Sequence, residues 1–241
     1  LPPACRSGRP WAAPGFVAET SDGPIEAGNV VVATGPYQRP ILPALLVDDT
    51  SLFQVHASRY RAPDQLPPGS VLVAGSGASG AQIAEELVRA GRHVSLSVSR
   101  HRRMPRRYRG RDLTWWLTAL GLDQTPVANR GPDKTLPLIT GAYGGHTIDF
   151  RQFAAQGMTL LGRVLAARDG TLELAADLAD SLAFGDAAYA AFLDKADAHV
   201  ARLGWEMPEE PGARILPPDP PGLADPPLRL ELRSTGVSAV I

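Results

Sequence analysis

The sequence predicts an α/β fold, and three observations carry that reading. Residues 71–91, VLVAGSGASGAQIAEELVRAG, pass from a four-residue apolar strand through a glycine-rich turn into an amphipathic helix. A second, alternating strand follows at 93–98, HVSLSV. Strand, turn, helix and strand close within about thirty residues, the size of one β–α–β unit. The third observation is size: 241 residues at 44% hydrophobic content are enough for a sizeable core.

Composition narrows the function classes. A net charge of −1 gives no global pull toward nucleic acid or an acidic membrane surface. Cys5 is the single cysteine, so these residues hold neither a disulfide framework nor a Cys-pair mechanism. No apolar run approaches the ~20 residues that span a bilayer, and no signal-peptide pattern is present. A reducing, cytoplasmic setting is the expectation. The chain starts Leu1-Pro2-Pro3 and stops at STGVSAVI, which reads as a piece of a longer protein.

The elements follow in order. Phe16 to Thr20 alternates, Asp22-Gly23 signals a turn, and NVVVAT (29–34) is a β-branched run ending at Gly35, so a hairpin and a buried strand are expected. Residues 36–50 hold three prolines and read as a linker, and LPPGS (66–70) makes a second break. Ile83, Leu87 and Val88 form the apolar stripe of the helix, with Glu85, Glu86 and Arg89 off it and Gly91 as its stop. A short amphipathic helix is expected over 112–122, and two strands over 158–174 around Asp169-Gly170. A longer helix is expected over 185–204, with Tyr189, Phe192, Ala196, Val200 and Leu203 on one face and Gly204 as its stop. Residues 207–227 contain eight prolines and must be a loop; strands are expected at 228–232 and 236–241. Trp115, Trp116 and Phe150 read as core packing rather than as pocket lining.

The glycines are placed for a ligand. Gly75 permits a tight turn, Gly77 lacks the Cβ that would keep a pyrophosphate off the backbone, and Gly80 lets the helix pack on the strand. The helix start then aims unpaired N–H groups at the phosphates. Ala78 lies within this turn, and Ser76 and Ser79 add hydroxyl donors. With a strand before, a helix after and a second strand at the right distance, a Rossmann-like dinucleotide site is the reading; a tight β–α turn without ligand is the alternative.

NAD calls for a carboxylate about 20 residues on, at the end of the second strand. Residues 94–99 contain none, and Ser99-Arg100 follows. An arginine pairs with a 2′-phosphate where a carboxylate would repel it, so NADPH is expected, with Arg100 as the main contact and Ser99 beside it. Seven arginines fill twelve positions from 100 to 111. One or two can reach a single phosphate; the rest face solvent or another anion. A nucleic-acid patch is the competing reading, disfavoured by the net charge.

Three stretches resemble the flavin-dependent monooxygenase-like oxidoreductases, a group that includes the flavin-containing and Baeyer–Villiger monooxygenases and bacterial flavoprotein relatives. They are VVVATGPYQRP (30–40), HASRY (56–60) and VLVAGSGASGAQIAEEL (71–87). YGGHTIDFRQFAAQGMTLLGRV (143–164) is most similar to the bacterial relatives. Of the signature F-x-G-x-x-x-H-x-x-x-[FY], His56 and Tyr60 match, while Thr50 and Leu52 stand in the Phe and Gly slots. The resemblance implies a Rossmann-like NADPH-binding domain with part of a second, FAD-binding domain. The implied boundaries are 1–65 for the partial FAD domain and linker, 66–206 for the NADPH domain, and 207–241 for a proline-rich loop and returning strands. Ala33, Thr34 and Gly35 would lie near the flavin, and His56 near the cofactors. The first glycine fingerprint, which holds FAD in such enzymes, is missing from these residues.

The implied activity passes hydride from NADPH to FAD, with oxygen then activated on a small organic substrate; neither nucleic acid nor membrane is an implied partner. Two eliminations agree. A flavin disulfide reductase needs a Cys pair. A short-chain dehydrogenase needs Tyr-x-x-x-Lys, but Arg130 and Ala191 precede Lys134 and Lys195. A noncatalytic NADPH-binding module, or an inactive fragment, remains the alternative.

Overall fold

A computed structural model describes residues 15–35, 39–40, 52–124, 135–220 and 222–241. The linker at 36–50 falls outside these apart from residues 39 and 40, as do Cys5, Arg130 and Lys134. The chain divides into two compact units, Leu1–Pro40 and Ile41–Ile241.

In the first unit, β1 (Phe16–Thr20) and β2 (Gly23–Ala27) form the expected antiparallel hairpin, with Phe16 opposite Ala27. Gly23, at φ +109°, takes up a backbone conformation that side chains resist. Thr20 Oγ1 donates to the Gly23 carbonyl at 2.7 Å and pins the turn. The strand expected at 29–34 does not form: these residues carry no ladder, and Val31 and Val32 are 86% and 79% exposed. A β-branched run supplies strand propensity but not a partner, and without a partner there is no sheet.

The second unit is built on β3 (Phe53–Gln54), β4 (Ser70–Ala74), α1 (Ala78–Arg89) and β5 (Val94–Ser97). Two short strands follow as β6 (Arg102–Arg103) and β7 (Arg107–Tyr108). Then come β8 (Arg111–Asp112), α2 (Leu113–Ala119), β9 (Pro137–Leu138) and α3 (Phe150–Ala155). After them run β10 (Thr159–Leu161), β11 (Val164–Arg168), β12 (Thr171–Leu174) and α4 (Leu178–Leu203). The chain closes with β13 (Arg229–Glu231) and β14 (Val237–Val240).

The main sheet is wholly parallel, in the order β10-β5-β4-β14-β3. Both of its faces are covered, which is why β4 reads as a nearly continuous apolar run. Val71 and Val73 pack with Ala84, Leu87 and Phe153 on the helical face. Leu72, between them, points the other way into Leu172, Leu174 and Leu232. That second cover is a three-stranded antiparallel sheet, β11-β12-β13. Leu72 and Leu87 are completely buried, and truncating either to Ala costs about 2–5 kcal/mol.

The second helix of the sequence reading begins as expected. The Asp112 carboxylate accepts from the Thr114 N–H at 3.0 Å, capping α2. Trp116 and Phe150 are core residues, 0% and 2% exposed. α4 starts seven residues before the expected boundary and stops at Gly204, which is left-handed at φ +63°. Leu203, expected on its buried face, is 42% exposed. α3 went unforeseen; Asp149 caps it through the Arg151 N–H at 2.9 Å. No helix among the described residues is long and apolar enough to cross a membrane.

Candidate dinucleotide site

Strand order places the site. From β4 the chain moves through β5 to β10 on one side, while β14 and β3 lie on the other. The order therefore reverses at β4, and a crevice opens past the carboxyl ends of the strands at such a reversal. The glycine turn leaves β4 at this point.

Each glycine has its own geometry. Gly75 sits at φ +123°, a backbone state that other residues adopt only under strain. Gly77 is the N-cap of α1 at φ −68°, ψ 175°, and a Cβ built on it meets nothing within 4 Å. Gly80 is the opposite: its Cβ would lie 1.9 Å from the Gly75 carbonyl oxygen. The turn is thus sealed toward the strand and bare on its outer side. No side chain caps α1, so its first N–H groups face the exposed Gly77, Ala78 and Ser79.

The two serines behave differently. Ser79 is exposed, as a phosphate donor requires. Ser76 is 1% exposed, and its hydroxyl accepts the Ser99 N–H at 2.9 Å. The Ser76 hydroxyl, expected to face a ligand, is placed against Ser99 and acts as a strut that ties the turn to the end of β5. Ser99 is half-buried, and its carbonyl takes Nδ1 of His101 at 3.0 Å.

Arg100 is exposed, and its guanidinium lies over the ring of Phe184 in α4, 4.0 Å from the centroid. Among the described residues no carboxylate lies within ion-pair distance of it. Its neighbours differ. Arg103 pairs with Asp149 and Asp186, Arg106 with Asp112, and Arg109 with Asp197. Arg111 covers Trp115. Much of the basic run is therefore spent inside the fold, on anions the chain itself supplies.

The remaining candidates lie elsewhere. Ala33, Thr34 and Gly35 are exposed in the first unit. His56 is half-buried in a local turn, where Nδ1 contacts Ser58 Oγ at 2.9 Å and the His56 carbonyl accepts from Arg59. Next to Ser79 opens a cleft of about 470 Å³, bordered by Tyr60, Gln82, Glu86 and Tyr143. Burial pushes the Tyr60 hydroxyl well above its usual range, and Glu86 adds to the shift.

Sequence reasoning placed Glu85 off the apolar stripe, yet it is 2% exposed. Its carboxylate takes both NH2 and Nε of Arg89, at 2.9 and 3.1 Å, and stands 3.1 Å from Nε2 of His146. An i,i+4 acid–base pair was the available signal. Phe184 had no signal at all, being 84 positions from Arg100 in an otherwise amphipathic helix.

Residues 11–119 match the family described as pyridine nucleotide-disulphide oxidoreductase. An uncharacterized CzcO-like oxidoreductase of Geobacillus kaustophilus is 46% identical over 109 residues, 44% of this chain and 31% of the relative. The uncharacterized oxidoreductase CzcO of Bacillus subtilis is 34% identical over 161 residues, 65% of this chain and 45% of the relative. The Arabidopsis thaliana flavin-containing monooxygenase FMO GS-OX-like 9 is 42% identical over 70 residues, 29% of this chain and 15% of the relative. The chain thus spans less than half the length of each of these relatives. With a parallel α/β sheet, a glycine turn at its point of reversal and these partial alignments, the chain is similar to the flavin monooxygenase-like oxidoreductases.

Proposed function

We propose that this chain binds NADPH, with the pyrophosphate on the bare backbone of Gly75–Ser79 and the 2′-phosphate on Arg100. The single observation that carries the reading is the pairing of a turn open at Gly77 and closed at Gly80 with an arginine that, among the described residues, no carboxylate neutralises. The N–H groups at the start of α1 and the Ser79 hydroxyl hold the phosphates; Ser99 stands beside Arg100. When bound, the nicotinamide supplies a hydride. Ser76 fixes the distance between the two phosphate-binding segments through Ser99.

FAD finds no equivalent cradle among the described residues. Among the described residues the one dinucleotide-type turn is that at Gly75, and Ala33, Thr34 and Gly35 stand exposed in a separate unit. We therefore derive no flavin step from these residues. For the whole protein we propose an NADPH-dependent, FAD-containing oxidoreductase of the monooxygenase type. It would work in the cytoplasm on a small organic substrate with oxygen. Relatedness to a flavin-containing monooxygenase supports that reading. Taken alone, this chain acts as a nucleotide-binding module.

Titration calorimetry of the chain with NADPH and with NADH tests the proposal. Tighter binding of NADPH is expected, and Arg100→Ala should bring the two affinities together. Equal affinities in the unaltered chain would overturn the 2′-phosphate assignment.

A further inference from the structure

We infer that Phe184 is a positioning residue for Arg100 and so part of the selection between NADPH and NADH. The inference rests on the reading of Arg100 given above and extends it to an element outside the β–α–β unit. Phe184 lies in the first third of α4, far along the chain from the glycine turn.

The contact is held in register by the residues that follow each partner. Gly185, next in sequence, packs so tightly on His101 that a Cβ there would come within 2.5 Å of Nε2. Asp186 takes NH1 of Arg103 at 3.0 Å. Phe184, Gly185 and Asp186 therefore face Arg100, His101 and Arg103 as two matched segments. Arg103 and Asp186 are both largely buried, so this register is not a surface accident.

The chemistry of the stack suits anion binding. A ring attracts a guanidinium through its face, where the π cloud is negative. The N–H donors of arginine point outward in its plane. Stacking on Phe184 at 4.0 Å thus uses one face of Arg100 and leaves the fork of donors open to a phosphate. A long exposed side chain otherwise loses many rotamers on binding. Held by the ring, Arg100 has already lost much of that freedom. The gain applies only to a ligand carrying the extra phosphate, because NADH has nothing for this fork to grip.

The test uses the full chain and compares Kd for NADPH and NADH by titration calorimetry. Phe184→Leu keeps apolar bulk but removes the ring; it should weaken NADPH by roughly fivefold and leave NADH unchanged. Phe184→Tyr keeps the ring and should retain the selectivity. Phe184→Leu on top of Arg100→Ala should add no further loss. Phe184 is half-buried, so Phe184→Met serves as a second ring-free variant, with circular dichroism to verify folding. If the ring-free variants keep full selectivity, or lose both nucleotides equally, while Arg100→Ala alone abolishes the preference, the role of Phe184 is refuted and that of Arg100 stands. If the unaltered chain shows no preference, both fall together.

Discussion

The Gly75 carbonyl oxygen lies where a side chain on Gly80 would have to go, 1.9 Å from its Cβ position. The two glycines therefore form one closed contact, and Gly77 beside them is open. Substitutions should separate folding from binding. Gly80→Ala forces the turn off the helix and should cost at least about 1–3 kcal/mol, read as a lower Tm. Gly77→Ala has an ordinary backbone conformation and room for its methyl group, so Tm should hold or rise slightly. On the proposed reading its methyl group stands where the pyrophosphate would approach, and NADPH affinity should fall by roughly tenfold or more. A Gly77→Ala chain that binds NADPH normally would remove the backbone cradle from the account.

Arg103 anchors a cluster of buried charges. Its side chain is 7% exposed and pairs with Asp149 and Asp186, which are 2% and 14% exposed; its guanidinium also covers Tyr189. Arg151 holds the other oxygen of Asp186 at 2.7 Å. Removing one partner strands the others in a medium that solvates them poorly. Arg103→Ala should cost about 3–5 kcal/mol in chemical denaturation. A change under about 1 kcal/mol, the range of an exposed pair, would show these charges to be solvated in solution.

How far the sequence could be read depended on what each signal measures. Residues 70–98 were legible because two periodicities, strand and helix, meet at a turn whose glycines have distinct steric reasons. Val30–Val32 misled because branched side chains report strand propensity and not the presence of a neighbouring strand. α3 was missed because six residues carry too little period, although Asp149 before Phe150 and Phe153 was a usable start signal. Gly185 read as the edge of a helix, and three-dimensional contact with His101 explains why a glycine sits within one. Most arginines of 100–111 were legible as a charged run, but their partners, Asp149, Asp186 and Asp197, come from distant positions that no local pattern joins.

His101 should make stability fall on mild acidification. Burial lowers its pKa; the Ser99 carbonyl and the nearby Asp186 and Asp149 work against that shift, and Arg103 reinforces it. The folded ring thus stays neutral where the unfolded ring gains a proton, near its ordinary value of about 6.5. Below that pH the unfolded state binds more protons, so folding loses free energy as pH falls. Tm measured from about pH 7.5 to about pH 5 should drop further in the unaltered chain than in His101→Gln. Parallel curves would mean that the ring takes up its proton without cost in the folded state.

Asp197 sets the two outer limits of stability through its partners. Burial would raise its carboxyl, but hydrogen bonds from Arg214, Tyr108 and Arg109 outweigh this and hold it below the usual carboxylate range. Its contribution is complete above the unfolded value of about 4 and disappears as pH falls through the lower folded value. The same contact acts in the opposite sense on Tyr108, whose phenol is pushed up to about 12 by burial and by the Asp197 carboxylate. A raised phenol contributes stability below about pH 10, and the contribution is lost as pH climbs from there toward the folded value. Asp197→Asn should therefore flatten the acid limb of a Tm profile below about pH 4, and Tyr108→Phe should flatten the alkaline limb above about pH 10. If Tyr108→Phe leaves the alkaline limb as steep as before, the phenol is not protected by Asp197 in solution, and the link between β7 and α4 is weaker than its distances of 2.8 and 2.9 Å imply.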